Sequence, residues 1–298
     1  MKLLITGAFR WTPEQKQTLR DMGWELIFAE REDGALPPGA YEAEAVVCNW
    51  LFVHHDIRKF PHLKRIQLLS AGLDRVPLEE IRQRGIEVFN ARGVYSIPMA
   101  EFAMGGVLQL YKGSRYFFER QKERRWNKKR DLLELFGKRV LVVGTGNVGH
   151  EVAKRFRAFT DEVYGVDLYP SNDSAYRQVF PLERLDDQLA VSDIVILTLP
   201  LTDETRGMFD AARFQRMKSN AVLVNIARGG IVDEMALSAA LDGKLYGAVV
   251  DVFSTEPLDE SSPLWEKENL ILTPHNSFVS EGNNDRMWEV IIKNLSLR

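Results

Sequence analysis

Short Val/Ile/Leu-rich runs alternate with helix-length segments, and the pattern occurs twice along the chain. Runs of this kind read as strands buried on both faces, and their alternation with helices implies parallel sheets covered by helices. The first series places strands at Lys2–Thr6, Trp24–Phe28, Ala45–Cys48, Ile66–Leu69 and Ile86–Phe89, with helices at Thr12–Met22 and Leu78–Arg84. Thr12-Pro13-Glu14-Gln15 carries a hydroxyl N-cap, proline at N1 and Gln15 at N3, a sound helix start. The second series places strands at Arg139–Val143, Glu162–Val166, Asp193–Leu197, Ala221–Asn225, Gly247–Val250 and Leu270–Thr273. A long apolar-faced helix is expected from about Ile97 to Arg125, with no flexible linker between the two series.

Composition narrows the function. The 298 residues suggest two domains. Lys and Arg number 39 against 42 Asp and Glu, a net charge of −3, so no overall positive field draws polyanions. Glu119–Arg130 holds seven basic residues. It reads as a solvated helix end or a subunit contact, and no nucleic-acid partner is expected. The single cysteine, Cys48, allows no intrachain disulfide, which points to the cytoplasm. The opening Met1–Gly7 run is short for a signal peptide, and no apolar stretch reaches the ~18 residues of a bilayer span, so no membrane partner is expected. No His/Cys/Asp spacing matches a metal-ligand set.

The most informative string is Gly144-Thr145-Gly146-Asn147-Val148-Gly149. It follows a strand and opens a helix, the setting in which GxGxxG binds a dinucleotide. Gly144 permits a tight turn, Gly146 lets backbone approach a pyrophosphate, and Gly149 lets helix pack on strand. The helix-start N–H groups face the anion. Asp167 stands eighteen residues after Gly149, at the end of the next strand. A carboxylate there accepts from both ribose hydroxyls and repels a 2′-phosphate. Leu168, Tyr169 and Pro170 follow it with no arginine, so NAD is expected rather than NADP.

Ligands of doubly wound sheets bind beyond the carboxyl ends of the strands. Beyond four predicted strands come Leu199-Pro200, then Ile226-Ala227-Arg228-Gly229-Gly230, then Asp251 with Glu256, then Pro274-His275. The chemistry of Arg228, Glu256 and His275 fits reduction of a 2-oxo acid. Histidine donates the proton, a neighbouring carboxylate orients the ring and favours its charged form, and arginine grips the substrate carboxylate. The other histidines lack such company: His54 and His55 read as surface loop, His62 as a turn and His150 as first-turn helix.

At this point the chain resembles the D-isomer-specific 2-hydroxyacid dehydrogenase family. The carriers are GTGNVG at 144–149 with Asp167, NIARGGIVDEMAL at 225–237, DVFSTEPL at 251–258 and TPH at 273–275. LSAGLD at 69–74, Asn90-Ala91 and Ala100-Glu101-Phe102 add weaker support. The resemblance implies that Arg228 binds the substrate, Glu256 partners His275, and His275 is the acid/base. It assigns cofactor contacts to Asn147, Val148, Pro200, Ile226 and Ala227, and Asp251 to the nicotinamide end. Ala71 and Gly72 are implied to hold the substrate carboxylate. The implied fold is α/β with two doubly wound parallel-sheet domains. An NAD-binding Rossmann domain, 95–276, is inserted into a flavodoxin-like substrate domain, 1–94 plus 277–298, with a hinge that closes a cleft over substrate. A homodimer is implied as well.

The chain departs from the family after the histidine, where it reads TPHNSF. Asn276 and Ser277 replace common cofactor-contact residues, and Phe278 is placed to wall a substrate pocket. Asn49-Trp50-Leu51-Phe52 is apolar where phosphoglycerate-type members tend to be basic, which weakens 3-phosphoglycerate as substrate. Glyoxylate, hydroxypyruvate, pyruvate or a branched-chain analogue are the leading candidates. An NADH-sensing scaffold or corepressor without turnover is the alternative from another class. An L-specific lactate/malate-type enzyme is disfavoured, because Thr6-Gly7-Ala8-Phe9 after the first strand lacks GxGxxG.

Overall fold

The apolar runs do form two parallel sheets in the computed structural model, which describes residues 1–73 and 75–296. Asp74, the last residue of LSAGLD, and the final two residues of the expected substrate domain lie outside that range. The chain divides into two units, one made of Met1–Tyr95 with Ser280–Arg298, the other of Ser96–Val279.

The first unit contains β1 (Lys2–Thr6), α1 (Pro13–Asp21), β2 (Glu25–Ala29), β3 (Ala45–Cys48), α2 (Leu51–His54), β4 (Arg65–Leu68), α3 (Leu78–Arg84) and β5 (Glu87–Phe89). The strands run in the order β2-β1-β3-β4-β5, all parallel, which is the flavodoxin-like order. The Thr12 hydroxyl and Gln15 side chain form a reciprocal cap on α1. One face of the sheet is covered by a core of Leu4, Val46, Phe60, Ile66 and their neighbours. The other is covered by Leu3, Ile5, Leu19 and Val47 packed with Met287, Ile291 and Leu295 of the C-terminal helix Asn283–Ser296.

The second unit begins with α4 (Ser96–Tyr111) and α5 (Ser114–Lys122). The single long helix expected here is broken, because Gly113 adopts a left-handed φ of 62° that ends one helix and starts the next. Then follow β6 (Val140–Val143), α6 (Asn147–Phe156), β7 (Val163–Asp167), β8 (Gln178–Pro181), β9 (Ile194–Leu197), β10 (Ala221–Asn225), β11 (Leu245–Val250) and β12 (Leu270–Leu272). The order β12-β11-β10-β9-β6-β7-β8 is parallel throughout and is that of a Rossmann domain extended by one strand. Its switch point lies between β6 and β9, where the GxGxxG loop emerges. The edge strand β8 had no counterpart in the sequence reading. Its four residues, Gln178-Val179-Phe180-Pro181, are only half apolar and none is fully buried. Every residue of β6, β9 and β10 is buried. Each such Val, Leu or Ile contributes on the order of 1.5–3 kcal/mol by leaving water, so the central strands hold the loops at their ends rigidly.

Candidate active site

The phosphate loop runs from β6 into α6. Gly144 has a φ of 97°, and a side chain at Gly149 would overlap the Gly144 carbonyl oxygen, so both positions need glycine. A side chain at Gly146 would meet nothing within 4 Å, which leaves open space over the loop where a pyrophosphate belongs. Gly146 caps α6 with no side chain. Asn147 is exposed and Val148 half-buried. Thr198, just beyond β9, fastens the loop by donating to the Gly144 carbonyl at 2.5 Å.

Asp167 closes the other side. Its Oδ2 accepts from the Thr145 N–H at 2.6 Å and hydroxyl at 3.1 Å, and its Oδ1 accepts from the Tyr169 N–H at 3.0 Å. The acid and the glycine loop are thus one assembly, and the carboxylate keeps further lone pairs for ribose hydroxyls. The donor set, the open Gly146 position and the uncapped helix start fit a dinucleotide.

A feature absent from the sequence reading stands beside this loop. His150, in the first turn of α6, contacts Asp173 through Nδ1 at 2.6 Å. Burial pushes the Asp173 carboxyl up, but the Ala175 N–H and His150 outweigh it and hold it below the usual carboxylate range. The 23-residue separation has no motif that would reveal the pair.

The polar rim assembles beyond β10, β11 and β12. Fully buried Asn225 shapes the first turn, accepting from the Ala227 N–H at 3.1 Å and donating to the Arg228 carbonyl at 3.2 Å. Arg228 then projects half-exposed, donates to the Ala227 carbonyl at 2.7 Å, and forms no ion pair with any described residue. Ile226 and Ala227 are buried, so only their backbone is available to a ligand. Pro200, beyond β9, is exposed, and its carbonyl accepts from the Thr205 hydroxyl.

His275 and Glu256 meet as expected: Nδ1 lies 2.8 Å from Oε2, with both side chains about two-fifths exposed. The other Glu256 oxygen accepts from the Phe253 N–H at 3.0 Å. Nδ1 is therefore occupied, and Nε2 is left as the ring nitrogen for a substrate. Phe278 stands edge-on to the imidazole, with ring centroids 5.8 Å apart and planes at 90°. His275 itself has a φ of 51°, a left-handed conformation that costs a non-glycine residue roughly 1–3 kcal/mol unless its surroundings enforce it. Asp251 is fully buried, and both its oxygens accept from the 273–277 turn.

In the first unit, the Ala71 carbonyl accepts from Asn90 at 2.6 Å and the Gly72 carbonyl from the Ser70 hydroxyl at 3.0 Å. This ties the segment beyond β4 to the one beyond β5. His54 closes the short helix α2, and the Nε2 of half-buried His55 has no partner. Among the described residues no group of three His, Cys, Asp or Glu is placed to hold a metal ion, and no helix is long and apolar enough to cross a membrane.

A phosphate loop at the switch point of a Rossmann sheet, with an Arg–Glu–His set on the same rim, defines a nucleotide-dependent oxidoreductase fold. The family model for the D-isomer specific 2-hydroxyacid dehydrogenase NAD-binding domain matches residues 104–277, and the chain belongs to that family. Its cofactor is NAD(P). The chain is 33% identical over 264 residues to an (S)-sulfolactate dehydrogenase of Chromohalobacter salexigens, covering 87% of this chain and 85% of that protein. It is 37% identical over 221 residues to a D-3-phosphoglycerate dehydrogenase of Archaeoglobus fulgidus; the match takes in 74% of this chain but 42% of that protein's length. Among solved structures, the D-lactate dehydrogenase of Aquifex aeolicus complexed with NAD and lactic acid superposes with a TM-score of 0.79 at 26% identity, covering 98% and 94% of the two chains.

Proposed function

We propose that the protein is an NAD-dependent oxidoreductase that interconverts a small 2-oxo acid and its D-2-hydroxy acid. The 2.8 Å bond between His275 Nδ1 and Glu256 carries the reading, because it orients the ring and leaves Nε2 for the substrate oxygen. Bound nicotinamide supplies the hydride for reduction and accepts it in oxidation. Arg228 grips the substrate carboxylate and polarises the adjacent carbonyl. His275 gives its Nε2 proton to the carbonyl oxygen as that oxygen gains charge, and is left neutral. In the reverse direction neutral His275 takes the hydroxyl proton. Gly144, Gly146, Asn147, Val148 and Gly149 hold the pyrophosphate, Asp167 holds the adenosine ribose, and Pro200, Ile226 and Ala227 line the path between. Ala71 and Gly72 are assigned to the substrate carboxylate, and 1–94 with 277–298 to the substrate domain.

Asp167 followed by Leu168, Tyr169 and Pro170 favours NAD over NADP. Glyoxylate, hydroxypyruvate, pyruvate and branched-chain 2-oxo acids lead as substrates, with 3-phosphoglycerate as a further candidate. We also propose a homodimer, on the exposure of Trp126 and Phe136, which are 98% and 83% open to solvent. A cytoplasmic setting suits the lone buried thiol of Cys48.

The test is loss of NADH absorbance with a panel of 2-oxo acids, run on the parent and on His275→Ala. Turnover by the parent is expected. The variant should lose on the order of 10²–10⁴ in kcat while still binding NADH. NADH binding without turnover of any 2-oxo acid would favour the sensing scaffold instead.

A further inference from the structure

The loop Asn49–Phe52 beyond β3 has no basic residue of its own, and its sequence reads as apolar. The fold brings it one. Arg75, seven residues beyond β4, lays its guanidinium 3.8 Å from the centre of the Trp50 ring and donates through Nη1 to Asn49 Oδ1. Buried Glu32 fixes the same loop. Its Oε1 accepts from the Thr6 hydroxyl at 2.6 Å and the Asn49 N–H at 2.8 Å, and its Oε2 accepts from the Trp50 N–H at 2.5 Å. Thr6 is the last residue of β1, so the cluster spans the ends of the neighbouring strands β1 and β3. In a sheet of this strand order that is the switch point, where ligands are received. The charge of Arg75 is also felt toward β4. Burial pushes the Tyr95 phenol up, the guanidinium opposes that rise, and the Tyr95 hydroxyl donates to the Leu69 carbonyl at 2.5 Å. Trp50 is 45% exposed and Arg75 half-buried, so the stacked pair is open to a ligand.

We infer that Arg75 is a specificity-determining residue: it selects 2-oxo acids that carry a second anionic group, a carboxylate, sulfonate or phosphate, at C3 or just beyond. The inference rests on the oxidoreductase reading and narrows it. Stacking on an indole uses the face of the guanidinium and leaves its in-plane fork to meet an anion. The bond to Asn49 fixes the rotation of that plane, so less side-chain freedom is lost when substrate arrives. Reach is adequate. Gly72, assigned above to the substrate carboxylate, and Arg75 stand three residues apart, so their Cα atoms lie within about 11 Å. A short substrate and an arginine side chain span such a gap together. An anionic substituent gains charge-assisted hydrogen bonds, roughly twice as strong as neutral ones, whereas a methyl or hydroxymethyl group gains none of them. Acids with a second charge therefore stand ahead of pyruvate and hydroxypyruvate.

The test follows NADH oxidation with three pairs of 2-oxo acids that differ in the second charge. They are 3-sulfopyruvate against pyruvate, 3-phosphohydroxypyruvate against hydroxypyruvate, and oxaloacetate against 2-oxobutyrate. The enzymes are the parent, Arg75→Gln and Arg75→Lys. In the parent, the charged member of at least one pair should have a kcat/KM higher by about 10- to 100-fold, the worth of a charge-assisted contact. The pair with the widest gap names the anion. Arg75→Gln should bring that ratio to within about threefold of one, mainly by raising KM for the charged member. Arg75→Lys keeps the charge without the fork and should leave an intermediate ratio that shrinks as salt is raised. Should Arg75→Gln fail to fold, Arg75→Lys decides, and a parent-like ratio there overturns the inference. If the parent turns over neutral members as well as charged ones in every pair, the inference falls and the oxidoreductase reading stands. A ratio unchanged in Arg75→Gln, with both members slowed together, also overturns it and leaves Arg75 only supporting Trp50. If the parent turns over no member of any pair, the oxidoreductase reading falls and the inference with it.

Discussion

Gly229→Ala, a single methyl group, is expected to disable the proposed acid/base pair from the far side of a loop. Gly229 follows Arg228 and is buried against the backbone of Phe253, and an added Cβ would overlap the Phe253 carbonyl carbon, its oxygen and the Cα. Apolar atoms settle at about 3.5–4.0 Å, so the Phe253 backbone has to retreat by more than about 1 Å. The Phe253 N–H fixes Glu256 Oε1 at 3.0 Å, and Glu256 Oε2 holds His275 at 2.8 Å. A retreat of that size stretches the first bond to about 4 Å, beyond hydrogen-bonding reach, and releases the carboxylate that orients the ring. The kcat for 2-oxo acid reduction should fall on the order of 100-fold, equivalent to about 2.7 kcal/mol in the barrier. Overpacking should also cost about 1–3 kcal/mol of stability, seen as a Tm several degrees lower. The assay is NADH oxidation at saturating cofactor beside a thermal melt, with NADH affinity measured separately and expected to hold. Parent-like kcat together with parent-like Tm would refute this chain of contacts.

Three further outcomes follow from the same geometry. Arg228→Lys keeps the charge but loses the planar fork, so KM for the 2-oxo acid should rise and kcat fall at nearly constant NADH affinity; lost NADH binding at unchanged KM would make Arg228 a cofactor residue. Asp167→Ala should weaken NADH, relieve repulsion of NADPH and narrow the preference for NADH, and equal use of both cofactors by the parent would contradict the role given to that carboxylate. The Asp193 carboxyl is pushed up by burial but held lower overall by Lys218 and the Arg139 N–H. A lowered folded pKa gives stability that is present above the unfolded value of about 3.9 and is lost as pH falls through the folded one. Asp193→Asn should therefore melt earlier than the parent at pH 7, with the gap closing in acid, and a gap unchanged down to pH 2 would count against that carboxylate's contribution.

The legible parts of the fold were those where local and tertiary signals agree. Val140–Val143, Ile194–Leu197 and Ala221–Asn225 are continuous apolar runs because both their faces are covered, and they read as strands from composition alone. Strand β8 did not, because an edge strand needs no apolar run; Gln178 and Pro181 are exposed, and pairing with β7 is what makes the segment a strand. The helix break had a local signal, Gly113, but glycine inside an apolar-periodic segment is ambiguous until its φ is known.

The site divides along the same line. Residues whose proposed role follows from their own chemistry, Arg228, Glu256 and His275, were visible because each stands beyond a predicted strand, and parallel strands bring such positions to one edge whatever their separation in sequence. Residues whose role lies in what they hold were not visible. Asn225 reads as the last residue of a strand, Thr273 as the end of another, and Gly229 only as a residue that follows Arg228 beyond a strand. Their work appears only when the turn beyond β10 is seen against Phe253 and the turn beyond β12 against Asp251. The left-handed backbone of His275 belongs with them, since no spacing rule marks a histidine for positive φ. A motif thus identifies the groups that can do the chemistry. The angle at which the imidazole is presented comes from buried donors and acceptors on three neighbouring strand ends, which only the folded chain brings together.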